Sequence, residues 1–316
     1  MPLVFGRSAY IALNEESTYG TANGSPFGVN NRVFSVSMAR SQERERTTHL
    51  SQSAAAFAVN TFDGFEIAGG SIETPLTYKG LGMLIKASLG SAATTGTDPY
   101  THTYTASATL PSLTIAVQRG TGQSEQFEGC MVSNMTISCE AGEEARASFE
   151  IIAKTATARA ASIAPAGFGN GAQVFHFQST AAGLSFDGSN YKMRSFELSL
   201  DNKLERVNYL GSKVTSQPQI SDVREVTLTA TFDLEDANLY NAQIAGTSSD
   251  VVVTFSTGGS ESFKITVKDA EITSYDDAVN SFGRIERTAT FFGLSGSSTE
   301  AVEIEIINDA SSAVSN

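Results

Sequence analysis

The stretch Val226-Thr227-Leu228-Thr229-Ala230-Thr231-Phe232 alternates apolar side chains with threonine hydroxyls. A period of two places the apolar residues on one face of a β-strand and the hydroxyls on the other. Earlier in the chain, Ile72, Thr74 and Leu76 occupy corresponding positions in a similar strand. Two half-buried strands of the same kind suggest that the sequence contains an internal repeat.

The segments around these two strands follow the same order twice. An apolar strand (33–38 or 196–200) comes first, and a polar stretch (39–57 or 201–220) separates it from the alternating strand. Next comes a segment with helical character, 78–89 or 235–245, ended by Gly90 or Gly246, since glycine adopts the left-handed conformation of a helix C-terminus. Both copies then predict a short strand, a glycine-rich turn and two further strands.

This order predicts a mainly β protein with two tandem β-sandwich or barrel domains, each flanked by a short α-helix. The length of 316 residues is enough for two domains with their own cores. We place the first domain, with an N-terminal arm, at 1–154, a linker at 155–173, the second domain at 174–295 and a C-terminal arm at 296–316. The alternative for 155–173, which is rich in Ala, Gly and Thr, is a long loop within one domain.

Two segments have no counterpart in the other copy. Residues 91–109 are polar and predict a surface insertion in the first domain. Residues 302–307 alternate as a lone strand, which has to pair either within the body of the chain or with a neighbouring subunit.

Charge and hydropathy exclude several classes of protein. The formal net charge of −13 argues against a surface that grips nucleic acid, because phosphate binding needs clustered Lys and Arg. A wall past which DNA slides without sticking remains compatible with this charge. Because the sequence shows neither a signal peptide pattern nor an apolar run of about 18 residues, we expect a protein made in a cytoplasm that does not enter a membrane.

The residue types that carry chemistry are scattered. The three histidines, His49, His102 and His176, have no second ligand at metal-binding spacing, so we expect neither a metal site nor a catalytic triad. Cys130 and Cys139 are nine residues apart, which places them on opposite faces of a regular strand and argues against a disulfide. The sequence therefore predicts a protein that is not an enzyme and needs no cofactor.

Mixed charges mark both polar stretches. They are candidates for salt bridges between subunits of an assembly, and the alternative is a solvated loop in each copy. The candidate contact residues are Arg40, Glu43, Arg44, Glu45, Arg46, Asp201, Lys203, Glu205 and Arg206.

Three short segments resemble the tail tube (major tail) proteins of long-tailed, siphophage-type phages. One is Glu16-Ser17-Thr18-Tyr19-Gly20-Thr21, which is similar to a Glu-x-Thr-x-Gly-Thr turn near the start of that family. Another runs from Phe127-Glu128-Gly129-Cys130 through an acidic glycine turn to Phe149-Glu150-Ile151. The last runs from Ser199-Leu200-Asp201-Asn202 to Arg224-Glu225-Val226-Thr227.

The resemblance implies a structural virion protein of the phage tail, whose inner sheets join around a ring of six domains. Two domains in each chain would make a trimer a pseudo-hexameric ring, and a ring of six chains is the alternative. Stacked rings would form a hollow conduit through which viral DNA passes without specific binding. The resemblance also implies contacts with tape measure, tail tip and terminator proteins.

Functions from other classes compete with this interpretation. A carbohydrate- or receptor-binding β-sandwich of the adhesin type would also be acidic and free of catalytic motifs, but the chain has no Trp to stack on a sugar. A carboxylate hydrolase has only scattered Asp and Glu in its favour. A capsid decoration protein or a head–tail connector would share the β fold and differ in how it assembles.

Overall fold

The computed structural model describes residues 6–23, 27–47, 60–120, 124–159, 168, 173–276, 285–295 and 300–314. Over these residues the protein is mainly β, as predicted, with two short α-helices. The helices are α1 (Gly82–Leu89) and α2 (Asn238–Ala245). In the part of the chain up to residue 159, the strands are β1 (Tyr10–Glu15), β2 (Val29–Asn31), β3 (Ser35–Val36), β4 (Ala39–Thr47), β5 (Asn60–Pro75), β6 (Gly90–Gly96), β7 (Tyr100–Ala106), β8 (Leu113–Gln118), β9 (Ser124–Glu140), β10 (Arg146–Ala153) and β11 (Thr155–Arg159). The strands that follow are β12 (Thr180–Phe186), β13 (Ser189–Tyr191), β14 (Met193–Asp201), β15 (Leu204–Glu205), β16 (Gln219–Ile220), β17 (Glu225–Asp233), β18 (Ser248–Ser256), β19 (Ser262–Tyr275), β20 (Glu286–Phe292) and β21 (Val302–Asn308).

Eight strands form one antiparallel sheet, which we call the long sheet. Its order is β4-β5-β10-β9-β14-β17-β20-β19. The first four strands come from the first half of the chain and the last four from the second half. The β9–β14 pairing, which we call the internal seam, joins the two halves.

Two further groups of strands flank the long sheet. The first flanking sheet has the order β2-β1-β8-β9-β11, and the second has the order β13-β12-β18-β19-β21-β7-β6. Strands β9 and β19 belong to both layers, because their first parts pair in a flanking sheet and their last parts pair in the long sheet. Each half therefore has one long strand that carries the chain from one layer to the other.

Alternating side chains of the long sheet pack against the flanking strands. Phe196 on β14 contacts Phe255 on β18 with ring centroids 5.7 Å apart, and Phe291 on β20 contacts Phe186 on β12 at 5.3 Å. These rings are almost completely buried, as are Val226, Leu228, Ala230 and Phe232 of the alternating stretch in β17. The alternation of apolar and polar residues along each strand therefore corresponds to one buried face and one open face.

The hydrogen-bonding scheme of the first half is repeated in the second. Strand β9 carries a bulge at Ser133, whose hydroxyl donates to Glu150 O at 3.2 Å, and β19 carries a bulge at Thr273, whose hydroxyl donates to Thr290 O at 3.2 Å. Ahead of each bulge lies a residue with positive φ, Gly129 in β9 and Asp269 in β19.

 
The φ angle is 63° at Gly129 and 43° at Asp269. Both positions therefore turn the strand from one layer to the other in the left-handed region, which glycine adopts most readily.

The structure corrects several expectations about individual segments. The first part of the polar stretch 39–57 is strand β4, since a strand at the edge of a sheet carries charged residues that look like a loop in the sequence; its residues 48–57 lie outside the described ranges. The insertion at 91–109 is mostly the β6–β7 hairpin, which pairs with β21 and buries His102 and Tyr104. The C-terminal strand thus pairs within its own chain, on β19 and β7.

The two helices are shorter than the sequence predicts, although both end where expected. Gly90 and Gly246 adopt the left-handed conformation directly after α1 and α2. The first helix begins only at Gly82, because Gly80 has a φ of 83° that interrupts helical geometry. The second begins at Asn238, whose amide donates to the carboxylate of Asp236 in a turn.

The cysteines are free, as predicted, but they do not lie on opposite faces. Both Cys130 and Cys139 are buried in the same apolar core. The bulge at Ser133 adds one residue to β9, so the odd spacing brings both thiols to the core side. Burial raises the pKa of Cys139 to about 11, which leaves its thiol protonated at neutral pH.

The predicted domain boundaries stay predictions. Residues 155–159 of the proposed linker form β11, which pairs with β9, and residue 168 packs against Tyr10. The rest of the linker up to residue 172 lies outside the described part of the chain.

Glu16 ties the beginning of the chain to the bend in β9. Its buried carboxylate accepts hydrogen bonds from the backbone of Gly20 and Gly129, each at 2.8 Å, and from the hydroxyls of Ser112 and Thr114 at 2.7 and 2.9 Å. The Glu-x-Thr-x-Gly-Thr turn therefore has a structural role, because Glu16 and Gly20 close the turn on each other. The same carboxylate fixes the left-handed residue at which β9 changes layer.

We expect Glu16→Ala to lower the free energy of unfolding by roughly 3 kcal/mol, because it leaves several buried donors without an acceptor. Chemical denaturation measures this loss. Glu15→Ala is the matched control: Glu15 forms a partly exposed ion pair with Lys86 at 2.7 Å, and its loss should cost about 1 kcal/mol or less. Equal losses in the two variants would contradict the role given to Glu16.

Candidate functional site

On the central strands of the long sheet, the face that points away from the core is mostly polar, whereas β5 exposes Phe65 and Ile67 on this side near the edge. On its central strands this face carries hydroxyl, amide and carboxylate side chains, which alternate with the buried apolar ones. They are Asn134, Thr136, Ser138, Ser148, Glu150, Glu197, Ser199, Thr227, Thr229, Thr231, Thr288 and Thr290. We call this surface the polar face.

Threonine pairs run across neighbouring strands of the polar face. Thr229 and Thr290 have hydroxyl oxygens 3.5 Å apart, and those of Thr231 and Thr288 are 3.3 Å apart. Where the face crosses the internal seam it forms an open depression of about 440 Å³, lined by Ser138 and Glu197 among others. The face is thus a hydroxylated and slightly concave wall.

The cations on this face are held by carboxylates. Arg146 pairs with Glu73 at 2.9 Å, and this hydrogen bond raises the pKa of Arg146. Lys203 pairs with Asp201 at 2.9 Å and with Glu225 at 3.0 Å, and both bonds raise its pKa. Arg194 pairs with Asp233 at 2.9 Å and also with Glu286.

Carboxylates outnumber cations on the polar face. Glu150 is exposed and Glu197 projects from the middle of the sheet, on the strand that forms the internal seam. Because the cations named above are already ion-paired, the face offers little positive charge to a passing phosphate.

The internal seam is built from both backbone pairing and buried side chains. Residues Ser195 to Asp201 of β14 pair in register with Glu140 to Asn134 of β9. Beyond the last pair, Asn202 is fully buried, and its amide donates at 2.9 Å to Ser88 O in α1 and to Val132 O in β9. The second half of the chain therefore binds the end of the helix of the first half.

Arg224 completes this contact. It donates to the side-chain oxygen of Asn202 at 2.8 Å, to Ser107 O at 2.9 Å and to Ser88 O at 3.1 Å. Carbonyls at the C-terminal end of a helix lack partners within the helix and carry partial negative charge, so a cation there is favourable. Burial lowers the pKa of Arg224, and the carbonyls that accept its hydrogen bonds compensate its charge.

The long sheet ends in two free edges. In the described residues, β4 pairs only with β5 along its length, and residues 272–275 of β19 pair only with β20. The pairing partner on the opposite side of each strand would have to come from outside these ranges. Edge strands of this kind are the usual sites at which another chain adds to a sheet.

The structure places the candidate contact residues at two separate locations. Glu43, Arg44, Glu45 and Arg46 are exposed on the free edge strand β4, and Arg44 forms a loose pair with Asp63 at 3.8 Å. Arg40, on the same strand, pairs with the buried carboxylate of Glu66 and donates to Ala156 O.

The second group lies next to the internal seam. Asp201 and Lys203 pair with each other, and Glu205 belongs to the short strand β15. Arg206 is buried enough that desolvation lowers its pKa, and it donates to Ala68 O and Ala153 O of the first half. A role of either group between subunits stays a prediction.

Sequence reasoning did not single out the polar residues that hold the seam, Asn202 and Arg224. They appeared only inside a segment of family resemblance, because nothing in their spacing reveals a contact with the end of α1. The described residues hold no cluster of His, Cys, Asp and Glu that could bind a metal ion. In the same ranges, no helix is long and apolar enough to cross a membrane.

A comparison with protein-family models matches residues 6–302 to the family described as phage tail tube protein. The chain belongs to this family. A search of the curated proteins finds no match. The protein is therefore a structural component of the phage tail, and its family membership implies a role other than catalysis.

We expect Asn202→Leu to destabilise this tail tube protein by roughly 3 kcal/mol, because the change removes the buried hydrogen bonds to Ser88 O and Val132 O and the one accepted from Arg224. Thermal or denaturant unfolding of the single chain measures the effect. Asn190→Leu, at an exposed position of the β12–β13 hairpin, should stay within about 0.5 kcal/mol of the wild type. A wild-type stability for Asn202→Leu would show that the side chain does not hold the seam.

Proposed function

We propose that three chains close into a pseudo-hexameric ring and that stacked rings form the wall of the tail conduit for the genome. The observation that carries this proposal is the repeated strand order in the long sheet. Strands β4-β5-β10-β9 in the first half correspond to β14-β17-β20-β19 in the second, with the same bulge in β9 and β19. Tandem duplication of one tube domain accounts for this correspondence.

The internal seam supplies the geometry for closing the ring. Within the chain, the free side of β9 is covered by β14; in a ring, the free side of β19 would be covered by β4 of the next chain. Three chains with eight strands each would then close a barrel of 24 strands and leave no free edge. A ring of six chains would use only half of these repeats in the wall.

The polar face fits the lumen of such a barrel. Its hydroxyls can exchange hydrogen bonds with water, and its carboxylates repel DNA phosphate, so that DNA passes without being held. The opposite face of the sheet is buried against the flanking strands and cannot line a channel. The charged candidates on β4 and beside the internal seam would contact neighbouring chains and rings, and the tape measure, tail tip and terminator proteins would bind at the ends of the stack.

Native mass spectrometry of the purified protein, together with electron microscopy of its assemblies, tests the number of chains in a ring. We expect a closed species with three chains of 33.4 kDa, about 100 kDa in total, and hollow tubes of uniform width. A ring of six chains would contradict the trimer and support the hexameric alternative. A protein that stays monomeric even with a tail tip complex present would contradict the proposal and favour a binding module.

Reversal of charge in the lumen should impair DNA passage without impairing assembly. We expect Glu197→Lys to leave tube formation intact and to lower phage infectivity by at least about tenfold, because three new cations in each ring would bind phosphate. Plaque assays and adsorption assays on the same particles separate DNA delivery from attachment. Glu197→Gln, which removes the charge without reversing it, is the matched control and should stay close to the wild type.

A further inference from the structure

Helix α2 is much more exposed than its counterpart in the first half. The left-handed glycines Gly90 and Gly246 align the two helices, so that Ser88 corresponds to Ile244 and Leu84 to Tyr240. Ser88 and Leu84 are fully buried, whereas Ile244 is 70% exposed and Tyr240 is 42% exposed. Part of the cover on α1 comes from the β6–β7 hairpin, but the cover at its C-terminal end comes from Asn202 and Arg224 of the second half.

A polar atom without a hydrogen-bond partner lies on β4, the edge strand of the long sheet opposite β19. The side-chain nitrogen of Gln42 on β4 is buried and has no hydrogen-bond partner among the described residues. A buried amide without a partner costs free energy, so its presence needs an explanation.

Strand register shows that Gln42 corresponds to Asn202. Ala68 of β5 and Val226 of β17 are equivalent residues of the two halves. Ala68 pairs with Ala153 at the end of β10, and Val226 accepts a hydrogen bond from Gly293 at the equivalent place after β20. Arg40 pairs with Ala68, and Leu200 pairs with Val226. Arg40 and Leu200 are therefore equivalent, and so are Gln42 and Asn202, which lie two residues after them.

We propose that Gln42 of each chain donates its side-chain amide hydrogen to a carbonyl at the C-terminal end of α2 in the neighbouring chain, at Ile244 or Ala245. This contact would repeat the bond from Asn202 to Ser88 O and would cover Ile244. It rests on the ring proposed above and specifies the partner of its free edge: a second copy of this chain, bound through both β4 and α2.

The seam between chains would also differ from the internal seam at the position of Arg224. The position of Arg224 is occupied by Glu66 in the first half, and Glu66 is already bound by Arg40 and by the hydroxyl of Thr155. Among the described residues, the position of Arg224 therefore offers no cation to the end of α2, which leaves Gln42 as the donor to its carbonyls. The seam between chains is the weaker of the two and forms only on assembly.

The test compares Gln42→Leu with Asn202→Leu, using both the stability of the single chain and the formation of the three-chain ring. Gln42→Leu should leave the unfolding temperature of the single chain unchanged or slightly raised, because its amide has no partner there. It should weaken each seam about fivefold, and a ring closed by three seams on the order of a hundredfold. Asn202→Leu should lower the stability of the single chain itself.

Two further variants complete the experiment. Gln178→Leu, at an exposed position in the turn Phe177–Ser179, should change neither readout. Ile244→Glu should abolish the ring while leaving the single chain stable, because the side chain is exposed there.

The outcomes distinguish this inference from the proposed ring. Three-chain rings in the wild type that form equally well with Gln42→Leu would overturn the role of Gln42 and leave the ring standing. Absence of three-chain rings in the wild type would overturn the ring itself. A Gln42→Leu chain that unfolds at a clearly lower temperature would also contradict the inference, since the amide would then have a partner within its own chain.

Discussion

The pairing of β9 with β14 is the constraint on which the arrangement of the two halves depends. It converts two four-stranded sheets into one sheet of eight strands and sets both polar faces on the same side. Backbone hydrogen bonds alone would allow the strands to slip by two residues without exchanging their faces. Asn202 and Arg224 remove this freedom, because their buried bonds to α1 are satisfied in only one register.

The change of layer within β9 and β19 is the second constraint. A strand that serves two sheets has to bend, and the left-handed residues Gly129 and Asp269 provide the bend at equivalent places. In the first half, Glu16 binds the backbone of Gly129 and so joins the N-terminal turn to this bend. The family resemblance at the start of the chain thus reflects a requirement of folding at a distant strand.

Local patterns in the sequence were sufficient for the strands with one buried face, as in 226–232, and for the glycines that end both helices. They were insufficient for β4, whose charges suit an exposed edge and therefore look like a loop. The internal seam was not predictable, because it joins residues more than fifty positions apart and the periodicity of each strand is the same whichever neighbour it has. The position of Asn202 beside α1 likewise depends on this long-range pairing.

From the sequence, the acidic composition could be interpreted only as a lack of affinity for DNA. The fold shows that several of the carboxylates lie on the polar face of the long sheet. Ser, Thr and carboxylate side chains occupy the open positions of the long sheet because its other positions are needed for the core. The same alternation that builds each strand thus produces a polar surface across the central strands when they are joined.

Joining two repeats in one chain has a physical consequence for the proposed ring. It would make three of the six seams intramolecular, so their strands would meet at a high effective concentration and without the loss of translational freedom. The remaining three seams alone then decide when assembly occurs. In that ring, the different residues at the two kinds of seam, Arg224 with Asn202 in one and Glu66 with Gln42 in the other, would let the chain fold stably on its own while ring closure depends on concentration.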